Sequence, residues 1–98
     1  MAEYILSKRA KNDLLEITDY TAHAWSQEQA ETYLRQLYTC FHRLAKKPQE
    51  GRSYDLIRAG LRGHPCGRHI VFYRILEKEK IRIVRVLHER MDYTRRFV

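Results

Sequence analysis

Several common architectures are excluded by what this chain lacks. No apolar run approaches the roughly 18 residues a membrane-spanning helix needs, and the start does not resemble a secretory signal. The two cysteines, Cys40 and Cys66, lie 26 positions apart, which argues against a disulfide framework and makes the cytoplasm the expected compartment. The G-x-x-x-x-G-K loop that cradles phosphates is absent, which excludes the usual nucleotide-hydrolysing engine. Acidic residues are scattered, with no paired-carboxylate pattern, and no serine sits in a readable His–carboxylate arrangement. There is no internal repeat or low-complexity stretch.

What is present suits one small domain, expected to span 1–98. A hydrophobic fraction of 44% is too rich for a disordered tail. Charge is unevenly placed. Residues 1–49 hold seven basic and six acidic side chains, a net of +1, whereas residues 50–98 hold twelve and six, a net of +6. In that second half Arg outnumbers Lys ten to two. The guanidinium fork suits carboxylate or phosphate, so this half is suited to an anionic partner, nucleic acid or an acidic protein segment, unless it is simply a solvated basic surface.

The elements follow from hydrophobic periodicity. Glu3 to Ser7 reads as a first strand, and Ser7 as the cap of a helix whose face is Ala10, Leu14, Ile17 and Thr21, extended by Trp25. Asp13, Glu16 and Asp19 are expected off that face. Ser26 and Gln29 form a capping box for a second helix with Ala30, Leu34, Leu37, Phe41 and Leu44 on one side, stopped by Pro48. So short a link predicts an antiparallel helical hairpin. Residues 48–60 show no period and read as an irregular connection. Leu61 to His64 predicts a short strand ended by Pro65 and Gly67. His69 to Leu76 and Ile81 to His88 predict central strands around a charged hairpin turn. The order is β-α-α-β-β-β, an α+β fold with the hairpin packed on one face of a mostly antiparallel sheet. Leu14, Ile17, Leu34, Leu37 and Phe41 are expected to cover Val71, Tyr73, Val84 and Val86.

Short motifs carry little chemistry. Gly60-Leu61-Arg62-Gly63 matches a nucleic-acid-clamping G-x-x-G loop, but it opens a strand instead of joining two helices, so turn glycines are the better reading. His64, Cys66 and His69 cluster without the spacing of a structural zinc site, so no metal is expected. Cys40 reads as a small buried hydrophobe. More informative are the sheet arginines Arg62, Arg68, Arg74, Arg82 and Arg85. Arg74 and Arg85 interrupt apolar strands, which fits either a partner-binding groove or pairing with carboxylates of the hairpin. The basic, aromatic tail from His88 to Phe97 reads as a cover for the sheet edge or as a target-binding segment.

The runs His69-Ile70-Val71-Phe72-Tyr73-Arg74, Ile83-Val84-Arg85-Val86-Leu87-His88 and Arg90-Met91-Asp92 resemble the ParE toxins of the RelE/ParE superfamily, and the likeness extends over nearly the whole chain. That resemblance implies the toxin half of a type II toxin–antitoxin module, of the kind often described as plasmid stabilisation proteins. It implies a ParD-like antitoxin that folds onto the toxin, DNA gyrase as the poisoned target, and neither cofactor nor membrane partner. An acidic, amphipathic antitoxin is expected at Arg62, Arg68, Arg74 and Arg85, and the target at Arg90, Met91, Asp92, Tyr93, Arg95, Arg96 and Phe97. The alternative is the RelE branch, a ribosome-dependent mRNA endonuclease. Its charge would come from Arg62, Arg68, Arg74 and Arg85 and its proton from His88 or Tyr93. No lysine occurs between Lys47 and Lys78, so the lysine-rich part of that pattern is missing, and the non-enzymatic reading is favoured. A basic nucleic-acid-binding module is a third reading, supported by charge alone.

Overall fold

A computed structural model describes residues 2–97. The elements run β1 (Glu3–Leu6), α1 (Lys8–Ala24), α2 (Gln27–Lys46), a 3-10 turn (Pro48–Glu50), β2 (Arg52–Ser53), β3 (Arg62–Cys66), β4 (His69–Glu77), β5 (Lys80–His88) and a last 3-10 turn (Arg95–Phe97). The fold is α+β, with sheet order β1-β5-β4-β3-β2. β1 runs parallel to β5, and every other pairing is antiparallel. A parallel neighbour needs a long crossover, and the helical hairpin is that crossover.

Both helix starts form where the capping serines predict. Ser7 Oγ accepts from the Ala10 amide at 3.0 Å and donates to the Val84 carbonyl at 2.7 Å, so one cap also ties the hairpin to β5. Ser26 Oγ accepts from the Gln29 amide at 3.0 Å. Trp25 departs from expectation. It is the cap residue of α1, where the helical stripe no longer governs direction, and its side chain is 72% exposed.

The hairpin covers one sheet face. Ala10, Leu14, Leu37, Phe41 and Leu44 pack with Val71, Tyr73, Ile81, Ile83 and Val86, and Ile17 and Leu34 border them. The opposite face carries Leu61, Phe72, Leu87 and Phe97, with Val84 and Tyr93 packed against them. Val84 thus lies away from the helices, contrary to simple alternation. A β-bulge is the reason: Phe72 pairs with Arg85 and Tyr73 with Ile83, so Val84 is an extra residue that shifts the phase of β5.

Two local expectations change in the connection. Arg52–Ser53, inside the stretch expected to be irregular, pairs with Arg62 and Gly63 as a minimal edge strand. Pro65 lies within β3, opposite Ile70, instead of ending it. β2 reaches only as far as Gly63, so no strand needs the missing N–H of Pro65 on its open side.

Tyr73 anchors this connection from the core. Its hydroxyl donates to the Pro48 carbonyl at 2.6 Å and accepts from the Gly51 amide at 2.9 Å. A Cβ at Gly51 would stand 2.3 Å from that oxygen, so only glycine fits. Gly51→Ala is therefore expected to cost about 1–3 kcal/mol through overpacking, measured by urea denaturation. An unchanged midpoint would show that the connection simply moves aside.

Candidate partner-binding groove

Asp13 is buried, whereas the periodicity placed it off the packed face. It stands three residues after Ala10 and so shares the border of the same stripe. Its Oδ2 accepts from Arg85 Nε at 2.9 Å and from the Val86 amide at 2.9 Å, and its Oδ1 accepts from Arg85 Nη2 at 3.0 Å. Arg85 on β5 thus reaches across to α1. Of the two readings of Arg85, pairing with a hairpin carboxylate is the one observed, and hydrogen bonding to Asp13 holds its pKa above the ordinary guanidinium value.

Above this pair lies an open groove of about 1110 Å³ between the adjoining ends of α1 and α2 and the ends of β4 and β5. Ile17 and Val86 give it apolar lining. Tyr20 and Trp25, each 72% exposed, and Met91, 39% exposed, stand around it as apolar groups with little cover. Arg68 and Arg96 add positive charge, and Glu16 and Glu28 negative charge. Tyr20, Trp25 and Tyr33 were missed from the sequence. The available signal was a large aromatic immediately before the Ser26 cap, where no helix face can bury it.

A hydrogen-bonded cluster shapes one wall. The Tyr33 hydroxyl and His69 Nδ1 share a hydrogen bond at 2.5 Å, and the hydroxyl accepts from the Arg68 amide at 3.0 Å, tying α2 to the β3–β4 turn. The His69 ring meets His88 edge-on at 5.4 Å. Burial first, and His88 second, push the His69 pKa down to about 4. Glu89 and Asp13 act in the opposite sense, and Tyr33 is raised by its own burial. A histidine pKa depressed on folding means that the unfolded chain binds the extra proton, so this stabilisation is present above about pH 6.5 and is lost as pH falls towards 4. The melting temperature should drop over that window, and His69→Gln should flatten the drop. Equal slopes for both proteins would place the titration elsewhere.

The remaining candidates separate. His64 lies 4.0 Å from Glu50, the Cys66 thiol donates to the Gln36 carbonyl at 3.8 Å, and His69 bonds to Tyr33, so the three point to different partners. The neighbouring Cys66 thiol first, and burial second, push the free Cys40 thiol up, while the Cys40 thiol lowers Cys66. Among the described residues no group of three His, Cys, Asp or Glu is placed to hold a metal ion. The four arginines expected to share one surface do not. Arg68 and Arg85 reach the groove. Arg62 donates from Nη1 to the Gly51 carbonyl at 2.7 Å, and Arg74 lies on the sheet face away from the helices. His88 lines the groove, whereas Tyr93 packs 5.3 Å from Phe72 on the opposite face. The six residues of the nuclease alternative are thus spread over both faces of the sheet. In the tail, Tyr93 and Phe97 cover the sheet, Met91 faces the groove, and Arg95 lies 3.5 Å from Asp92. The Arg96 carbonyl accepts from Arg85 Nη1 at 3.3 Å, and the Arg90 amide donates to His88 Nδ1 at 3.1 Å. No helix among the described residues is long and apolar enough to cross a membrane.

Comparison with known proteins agrees with this architecture. Residues 4–93 match the family described as the ParE toxin of the type II toxin–antitoxin system parDE. Toxin ParE1 of Mycobacterium tuberculosis is 45% identical over 94 residues, which cover 96% of this chain and 96% of that protein. Toxin ParE1 of Caulobacter vibrioides is 40% identical over 92 residues, covering 94% of each. Toxin ParE of Escherichia coli is 34% identical over 92 residues, covering 94% of this chain and 89% of that one. A solved structure of the chromosomal ParDE system from P. aeruginosa shares the fold, with a TM-score of 0.75 at 19% identity over 90% of this chain and 96% of that one.

Proposed function

The chain belongs to the family of ParE toxins of type II toxin–antitoxin systems, and from that premise we propose that it binds and poisons DNA gyrase in the cytoplasm and is neutralised by a ParD-like antitoxin seated in the hairpin groove. The groove carries this reading. Exposed Trp25 and Tyr20, and the part-exposed Met91, offer apolar contact area left open among the described residues. An antitoxin segment disordered on its own would lay apolar anchors there as a helix and set carboxylates near Arg68 and Arg96. Arg85, already paired with Asp13, would serve the groove through its shape and its field. The spread of Arg62, Arg68, Arg74, Arg85, His88 and Tyr93 over two faces supports action by binding over RNA cleavage, which needs cations and a proton carrier around one phosphate.

Trp25→Ala tests the groove directly, because Trp25 is exposed and its loss leaves the core intact. A buried aromatic anchor is worth about 2 kcal/mol or more in a complex, so antitoxin affinity should fall roughly 30-fold, chiefly through faster dissociation. Calorimetric titration reads the change. Affinity within threefold of wild type would place the antitoxin elsewhere. Incubation with ribosomes and mRNA should give no cleavage above background, and cleavage that depends on His88 or Tyr93 would restore the nuclease alternative.

A further inference from the structure

The sheet face away from the helices carries a basic feature that neither the core nor the groove uses. Ile5, Arg82 and Arg74 are direct cross-strand neighbours on β1, β5 and β4. The residues flanking them in sequence, Tyr4 and Leu6, Ile81 and Ile83, Tyr73 and Ile75, all pack into the hairpin-side core. Strand alternation therefore turns all three onto the opposite face. Two like charges directly opposite each other on neighbouring strands repel, so the arrangement weakens the sheet.

Two carboxylates of the next row are engaged by a lysine. Lys80 engages Glu3 at 3.4 Å and Glu77 at 3.8 Å in the next row. Among the described residues neither the Arg74 nor the Arg82 side chain has an ion pair or hydrogen bond. The Arg74 guanidinium lies instead against Gly60, whose φ is +79° and where a Cβ would stand 3.3 Å from Nη2. That contact positions the group without balancing its charge. Arg82 is exposed, and Ile5 beside it is 39% exposed. The row has no aromatic side chain on which a base would stack, whereas an aliphatic flank suits a protein surface.

We infer that Arg74 and Arg82 form a second docking site, for an acidic protein surface whose carboxylate bridges both guanidinium groups, and that the occupant is the target and not the antitoxin. Arg82 and Ile5 are exposed and Arg74 half-buried on regular strands, which suits a preformed surface, and the row lies on the other side of the sheet from the groove. This inference rests on the reading that gyrase is the target.

The test compares wild type, Arg82→Ala and the double charge reversal Arg74→Glu/Arg82→Glu in a gyrase supercoiling assay. Antitoxin titration and thermal melting serve as controls. The double variant should need at least 100-fold more protein to inhibit, and antitoxin affinity should stay within threefold. Arg82→Ala, which relieves the repulsion, should inhibit less well yet melt no lower than wild type. Wild-type inhibition matched by both variants overturns the inference alone. A wild type inert towards gyrase overturns the underlying reading as well. Loss of antitoxin affinity would make the row an antitoxin contact. Loss of binding to a short DNA duplex, with gyrase inhibition intact, would make it a nucleic-acid site. Either result overturns the assignment.

Discussion

Asp13→Ala is expected to destabilise the protein by about 3–5 kcal/mol, the cost of leaving one partner of a buried ion pair alone. The Asp13 and Arg85 side chains are 10% and 12% exposed, so water does little to replace the lost partner. The same change orphans the Val86 amide, which now donates to Asp13 at 2.9 Å. Asp13→Asn keeps one acceptor oxygen and should recover part of the loss. Because the pair is buried, added salt should leave the difference between wild type and variant nearly unchanged. Urea denaturation of both variants at two salt concentrations measures it. A loss under about 1 kcal/mol would mean that Arg85 swings into the groove and is solvated there.

Phe41→Ala is the second large effect, expected to cost about 3–5 kcal/mol in transfer and cavity terms. Phe41 is fully buried in the hairpin-side core, where Tyr4 and Tyr38 meet its ring edge-on at 5.3 and 5.7 Å. Such a loss consumes much of the roughly 5–15 kcal/mol that holds a small domain folded. The variant should lose cooperative thermal unfolding or melt far below wild type. Near-native melting would show that the hairpin packs on a different face.

Whatever depends on a few neighbouring residues could be read in the sequence. The serine caps bond backbone amides three residues on, and the Leu37–Phe41–Leu44 stripe faces the sheet as its spacing requires. Non-local features could not be read. The bulge at Val84 depends on the register between β4 and β5, and Val84 packs on the face away from the helices. The pairing of Asp13 with Arg85 spans 72 positions, so local periodicity gave Asp13 no reason to be buried. The groove was hidden for a related reason. Trp25, counted as the end of a buried stripe, is the cap residue past the last helical turn, with non-helical backbone angles, and it is exposed. The arginines expected to share one surface lie on two. Residue alternation along β3, β4 and β5, interrupted by the bulge, sends Arg62 to one side and Arg74 and Arg82 to the other.

The central claim, that this toxin acts by binding gyrase, is tested most directly by supercoiling of relaxed plasmid with purified gyrase and increasing amounts of the protein. Inhibition that saturates at a fixed toxin-to-gyrase ratio, with cleaved DNA accumulating and reversal by antitoxin, is the predicted result. Undiminished supercoiling at saturating, folded protein would contradict it.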